Sequence, residues 1–237
     1  MKRLAVVIQS ILFVALLFSP ALAVIAPEKL VYEVKWGGIK AGSAILEATA
    51  EGNEIRIVNT IRSTGLVSAF FSIDDKTESV ISREGKPRIF KENINEGRFK
   101  ARKEVSFNFT DLFADGKDLL KKIEKRDAIS ARTYDNLSSI YFIRSTKLVP
   151  GQSIYFDIYS FKHLWNTEVR VVKREEVTTP LGRFKTIMVT SQLKYDGVPA
   201  RVGNATFWFT DDSRRIPVRI TTQLKVGEIT LTLVGRS

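Results

Sequence analysis

The acidic side chains that can carry chemistry come in neighbouring pairs: Asp74-Asp75 with Glu78 close behind, Glu175-Glu176, and Asp211-Asp212 within FWFTDDSRRIPVRI (Phe207 to Ile220). Two carboxyls flanking one bond are the equipment of sugar hydrolysis, one as acid and the other as base or nucleophile. Neighbouring residues of an extended chain point to opposite faces, however, so a pair does not converge on one substrate by itself. A glycan hydrolase or lyase would need acids from separate loops, such as Asp75 and Asp211, across a single cleft. The turn preferences of Asp and Ser, with alternation on both sides, make Asp211-Asp212-Ser213-Arg214-Arg215 the tip of a β-hairpin braced by its own ion pairs. Glu175-Glu176, just before Thr-Thr-Pro, is expected at a solvated strand end.

Other chemistries are restricted by what the chain lacks. There is one histidine, His163, and no cysteine, which removes Cys/His zinc patterns and leaves a single candidate base for a Ser-His-Asp triad. No G-x-S-x-G, P-loop or dinucleotide-binding glycine motif occurs. His163 is expected on an exposed loop between two strands. No cofactor and no metal site is implied, and binding is favoured over catalysis.

A cationic stripe offers a different kind of site. In GRFKARKEVSFNF, Arg98, Lys100 and Arg102 share one face of an expected strand, opposite Phe99, Ala101, Val105, Phe107 and Phe109, with Lys103 as the exception on the apolar face. Three cations on one strand face suit contact with phosphate or carboxylate groups, although charged outer faces are also ordinary in antiparallel sheets. The formal net charge of +11 agrees with an anionic partner. The 15 Phe, 6 Tyr and 3 Trp can fill a core or line a cavity for an acyl chain.

The elements that would position these groups are strands. Leu30, Tyr32, Val34 and Trp36 alternate with polar residues, as do Ile154, Phe156 and Ile158, then Trp165, Thr167, Val169 and Val171. Ile216, Val218, Ile220, Thr222 and Leu224 do the same, with a return strand through Ile229, Leu231 and Leu233. Turn spacing suggests roughly ten to twelve strands. The expected fold is all-β, a long antiparallel meander curled into a barrel or rolled half-barrel. Its one short helix, near 135–145, has Asp135 as N-cap and Leu137, Ile140, Tyr141 and Arg144 at helical spacing. The charged run Lys117 to Arg126 fits either a loop or a solvated hairpin.

The chain opens with Lys2 and Arg3 before an apolar run that ends in Ala21-Leu22-Ala23, the form of a secretory signal peptide cut after residue 23. The run is shorter than a spanning helix. Residues 24–237 are then expected to form a single exported, periplasmic β domain without a transmembrane helix. With no cysteine after the leader, it is not a lipoprotein.

Six stretches, LVYEVKWGGIKAGSAILE, FFSIDDKTESVI, NINEGRFK, YDNLSSIYFIRSTKLVPGQ, TPLGRFKTIMV and FWFTDDSRRIPVRI, run in order along nearly the whole chain. Together they resemble the exported proteins grouped as domain of unknown function 3108. The resemblance implies an envelope location and antiparallel β architecture, and brings no catalytic residue with it. Its motif positions here are Trp36, Gly37, Gly38, Gly42, Glu78, Ser79, Trp208, Asp211, Asp212 and Pro217. They are expected to be structural, the three glycines permitting a tight reversal after Trp36 and Pro217 suiting an edge or bulge. The leading expectation is a non-catalytic envelope protein that binds an apolar or amphipathic ligand, such as lipid, within the curled sheet. The alternative is an assembly partner that meets another envelope protein or an anionic glycan through a sheet edge or basic face. Nucleic acid is disfavoured by export.

Overall fold

The computed structural model describes residues 27–161, 163–195, 198–199, 204–224 and 227–237. The expected leader, 1–23, lies outside the described residues. The chain forms β1 (Glu28–Trp36), β2 (Ile39–Glu51), β3 (Glu54–Ser63), α1 (Gly65–Phe70), β4 (Asp74–Ser82), β5 (Pro87–Glu96), β6 (Phe99–Asn108), β7 (Phe113–Asp118) and β8 (Ile123–Ala128). It continues with β9 (Thr133–Tyr134), α2 (Asn136–Ser145), β10 (Ser153–Tyr159), β11 (Leu164–Thr179) and β12 (Gly182–Tyr195). The last strands are β13 (Val198–Pro199), β14 (Ala205–Thr210), β15 (Pro217–Leu224) and β16 (Gly227–Arg236).

All sixteen strands belong to one sheet, in the order β8-β7-β6-β5-β4-β3-β2-β1-β16-β15-β14-β12-β11-β10-β9, with β13 beside β12. Each pairing is antiparallel except β9 with β10. The first and last long strands, β1 and β16, pair in the middle of the sheet, so the meander runs outward from that seam in both directions. β8 and β9 stand at the two ends without pairing to each other. The sheet is therefore curled rather than closed, and side chains bridge the gap: the Tyr159 hydroxyl donates to Asp127 and Lys125 pairs with the same carboxylate at 2.6 Å.

Two differences from the sequence expectation have local causes. The strand count exceeds ten to twelve because β9 and β13 are two-residue strands and the charged run resolves as the tight β7–β8 hairpin, whose pairing shows no alternation of apolar residues. A second helix, the six-residue α1, links β3 to β4 in a segment too short for a helical period to show.

Because neighbouring strands are antiparallel, the connections alternate between two ends of the roll. α2 occupies one end. Its N-cap is Asp135, whose carboxylate accepts from the backbone N–H of Leu137 and Ser138, while Ser138 Oγ accepts from the Asp135 N–H, completing a capping box. Leu137 and Tyr141 enter a core of Leu30, Ile57, Ile81, Phe90, Val105 and Ile216. The opposite end carries the β1–β2 turn, α1 and the β5–β6 turn.

Candidate functional site

The register defines what the inside of the roll is made of. Residues directly opposite on neighbouring strands share a face, and the face repeats every second residue. One row across six strands reads Ala48, Ile57, Ser79, Phe90, Val105 and Gly116. Of these, Ala48, Ile57, Phe90 and Val105 are buried in the core, so this face is the interior. Two residues along each strand toward the open end, the same face reads Leu46, Asn59, Thr77, Glu92, Lys103 and Asp118. The interior thus changes within one row from apolar to charged.

Within the polar row, Lys103 Nζ donates to Glu92 Oε1 at 2.6 Å. Asp118 accepts from the backbone N–H of Leu120 and Lys121 at 3.2 and 3.0 Å and so fixes the β7–β8 turn. The Phe161 ring lies 5.7 Å from Lys103 Nζ in the space that Gly116 leaves open, since a Cβ on Gly116 would stand 2.9 Å from Phe161 Cδ2. Nearer the mouth, buried Asp75 accepts from the Asn95 N–H at 2.7 Å. Burial, together with the neighbouring Asp75 charge, pushes the Glu96 carboxyl above its ordinary range.

The facing wall differs in kind. Across it run Val34, Leu231, Ile220, Phe207, Val189 and Val171, directly opposite one another in turn. Val34, Val189 and Val171 are buried, whereas Leu231, Ile220 and Phe207 are only half-buried. The next row toward the mouth holds Trp36, Ile229, Thr222 and Ala205. The inward face of the roll is thus charged and hydroxylic on β3–β7 and apolar but incompletely covered on β1 and β14–β16, with α2 packed across one end. An amphipathic molecule matches both walls at once.

A second network locks the sealed end. Arg144 Nη2 donates to Glu28 Oε2 at 3.0 Å and Tyr141 Oη to Glu28 Oε1 at 2.9 Å, with Glu28 and Arg144 each 5% exposed. Burial alone would depress the Arg144 pKa, but the Glu28 carboxylate outweighs it and the guanidinium is held more firmly charged. Arg144 also donates to the Arg214 carbonyl, and Arg215 Nη1 to the Arg144 carbonyl at 2.7 Å. Thus FWFTDDSRRIPVRI is a turn that docks on the C-terminal end of α2. Asp212 Oδ1 accepts from the N–H groups of Arg214 and Arg215, each at 3.0 Å, and from the Thr210 hydroxyl at 2.8 Å. Asp211 is bridged by Arg174 at 2.8 Å, a partner from β11 rather than from the turn itself.

The other sequence candidates fall as follows. Lys100 and Arg102 lie exposed on the outer face of β6, and Arg98 lies exposed in the β5–β6 turn. Gly37 and Gly38 have φ of +53° and +86° in the β1–β2 turn. Gly42 does not belong to that reversal: it sits inside β2, where a Cβ would stand 2.2 Å from the Arg62 carbonyl oxygen, so its role is close approach of two backbones. Glu78 takes a two-point pair with Arg56 on the outer face, and its carboxyl is held below its ordinary range by that hydrogen bonding. Ser79 donates to buried Asp135 at 2.6 Å and so ties α2 to β4. Trp208 Nε1 donates to Glu175 Oε1 at 2.7 Å, and the Pro217 carbonyl accepts from Tyr32 at 2.8 Å. His163 is not a bare loop side chain, since its ring packs 4.3 Å from Tyr195 and 5.2 Å from Trp165.

Asp75 and Asp211 do not share a cleft. Asp75 lies at the start of β4, by the open mouth, and Asp211 in the β14–β15 turn on α2. Two open surface depressions, about 370 and 320 Å³, lie over β10–β12, where Asn166 bonds Asp157 and Lys194 pairs with Glu168. Among the described residues no helix is long and apolar enough to cross a membrane.

A solved β-barrel-like structure agrees with this architecture. No curated protein is similar enough to match the chain. A β-barrel-like protein of domain of unknown function DUF1849 from Brucella abortus superposes with a TM-score of 0.65 at 14% identity, over 90% of this chain and 98% of that one. A protein from Bacteroides fragilis with a YmcC-like fold superposes with a TM-score of 0.38 at 10% identity, over 90% and 96% of the two chains. The family model described as "Protein of unknown function (DUF3108)" matches residues 31–234, nearly the whole length of the sheet, and the chain belongs to that family.

Proposed function

We propose that the chain is an exported, non-catalytic protein of the periplasmic envelope whose residues 24–237 act as one unit and hold an amphipathic ligand, such as lipid, in the cup of the rolled sheet. The observation that carries this reading is the division of the interior. The polar row Asn59-Thr77-Glu92-Lys103 faces a wall of half-buried Leu231, Ile220 and Phe207. Water against that apolar wall is unfavourable, and a hydrocarbon tail there would bury surface at about 25 cal/mol per Å². A polar headgroup would find the Lys103–Glu92 pair and the hydroxyl of Thr77 opposite. The leader-like residues 1–23 support export, and the position of Asp75 and Asp211 at opposite ends of the roll removes the best carboxylate pairing for hydrolysis.

The test is to purify the exported protein from membrane-containing lysate and examine its organic extract by mass spectrometry. A lipid near one per protein is expected, lost on Leu231→Lys and retained on Arg102→Ser at the outer face. An extract free of lipid would sink the reading. Weight would then pass to an assembly partner, supported by β8, whose outer edge has no strand beside it among the described residues, and by the exposed Lys100 and Arg102.

A further inference from the structure

We infer that the open end of the roll is a docking surface for an anionic membrane, with the β1–β2 turn, α1 and the β5–β6 turn entering the interface. This goes beyond what the cup holds and does not depend on it.

The two ends of the roll differ in what they expose. At the α2 end the β2–β3 and β4–β5 turns are Gly52-Asn53 and Arg83-Glu84-Gly85-Lys86, polar throughout, and the β6–β7 and β11–β12 turns each show a single exposed leucine, Leu112 and Leu181, at 41%. At the open end the connections present Ile39, Phe70, Phe71 and Phe99 with 69%, 89%, 44% and 57% of their surface in solvent. Phenylalanine is rarely left so bare in a stable monomer without a surface to meet, and a cluster of such residues marks an interaction site. They are also held together. The Gly97 N–H donates to the Ser72 carbonyl at 2.8 Å and the Thr64 N–H to the Ala41 carbonyl at 2.9 Å, so α1 is pinned to both neighbouring strands. A Cβ on Gly97 would stand 3.3 Å from the Phe71 ring, which places that ring against the β5–β6 turn.

Charge decides the occupant. Arg98 and Lys100 flank Phe99, are exposed, and have no ion pair among the described residues. Lys121 and Lys122 extend the same pattern in the β7–β8 turn beside exposed Leu119 and Leu120. Bare apolar tips with unpaired cations beside them are the pattern of proteins that lie on an anionic bilayer, where rings enter the headgroup boundary and cations meet phosphate. A protein partner would more often present carboxylates to be paired one by one, and nothing here fixes the planar geometry that such pairing uses.

The chain has no cysteine, so single-cysteine variants at Phe70, Phe99 and Asn53 accept an environment-sensitive fluorophore at one point each. In full-length protein, this local signal separates the rim from anything residues 1–23 do at a membrane. Vesicles of phosphatidylcholine with phosphatidylglycerol should shift emission at positions 70 and 99 to the blue and leave position 53 unchanged. Phosphatidylcholine alone should give little response. Arg98→Glu with Lys100→Glu should weaken the response by about tenfold or more, at about fivefold per lost cation, and salt should weaken it too. An equal response at position 53, none at 70 and 99, or indifference to lipid charge would each overturn the proposal. Unchanged thermal unfolding of the charge-reversed variant distinguishes lost docking from lost fold.

Discussion

At the scale of single residues, Glu96 gives stability a pH dependence of definite sign. Glu96 has its carboxyl pKa raised by burial and by Asp75, so the folded protein keeps a proton that the unfolded chain would release above about 4.5. Above that value Glu96 holds more proton in the native state than in the unfolded one, so its own contribution to stability falls as pH rises through its raised pKa. Glu96→Gln mimics the protonated form and can still donate to Asp75. Its melting temperature should exceed that of the parent at pH 7.5 and match it near pH 4, which thermal unfolding at the two pH values will show; a variant less stable at pH 7.5 would contradict the assignment. The sequence carried one sign of this polar interior, Lys103 on the otherwise apolar face of β6. It did not show that Glu92, one strand away, stands directly opposite, because register across strands depends on the pairing and not on spacing along the chain.

Elements show where alternation is a sufficient guide and where it is not. β1, β15 and β16 turn one apolar face inward, and their apolar residues line up in the sequence as they do in the sheet. α2 was legible for the same reason, through its cap and the spacing of Leu137, Tyr141 and Arg144. β7 and β8 are short and highly charged, β7 gives the core only Ala114 and Gly116 on its inward face, and β8 closes the seam through Asp127 and Lys125 to Tyr159 of β10, so no period marks them. Gly42 shows the same limit at a single position, since a glycine near a turn looks like part of the turn. What holds it is the Arg62 carbonyl of β3, too near to admit a methyl group. Gly42→Ala should therefore cost about 1–3 kcal/mol, the range for forcing extra volume into a packed site. Gly38→Ala probes backbone strain at φ +86° with nothing within 4 Å of the added Cβ. Urea unfolding of the two variants separates the causes: repacking of β3 would alter amide exchange along Arg62 and Ser63 only in Gly42→Ala.

For the whole molecule, the sealed end is where distant parts of the chain meet. Glu28 opens β1, Arg144 ends α2, and the Arg214 carbonyl belongs to the turn before β15, so one buried ion pair joins the first strand, the helix and the last hairpins. None of this was accessible from sequence, where the three segments are separated by more than 60 residues and Glu28 is one acid among 26 acidic residues. Replacing Arg144 with Met should leave the Glu28 charge buried without a counter-ion, its hydrogen bond from the Tyr141 hydroxyl alone remaining, at a cost of about 3–5 kcal/mol. Adding Glu28→Gln removes that charge, and the double variant should recover a large part of the loss, since burial of an uncompensated ion accounts for most of it. If the double variant is as unstable as the sum of the two singles, the pair is not coupled and α2 is held by packing alone. If it recovers, the pair acts as the latch that keeps the base of the cup shut, and lipid content measured on the Arg144→Met protein at a temperature where it remains folded should fall as the base loosens.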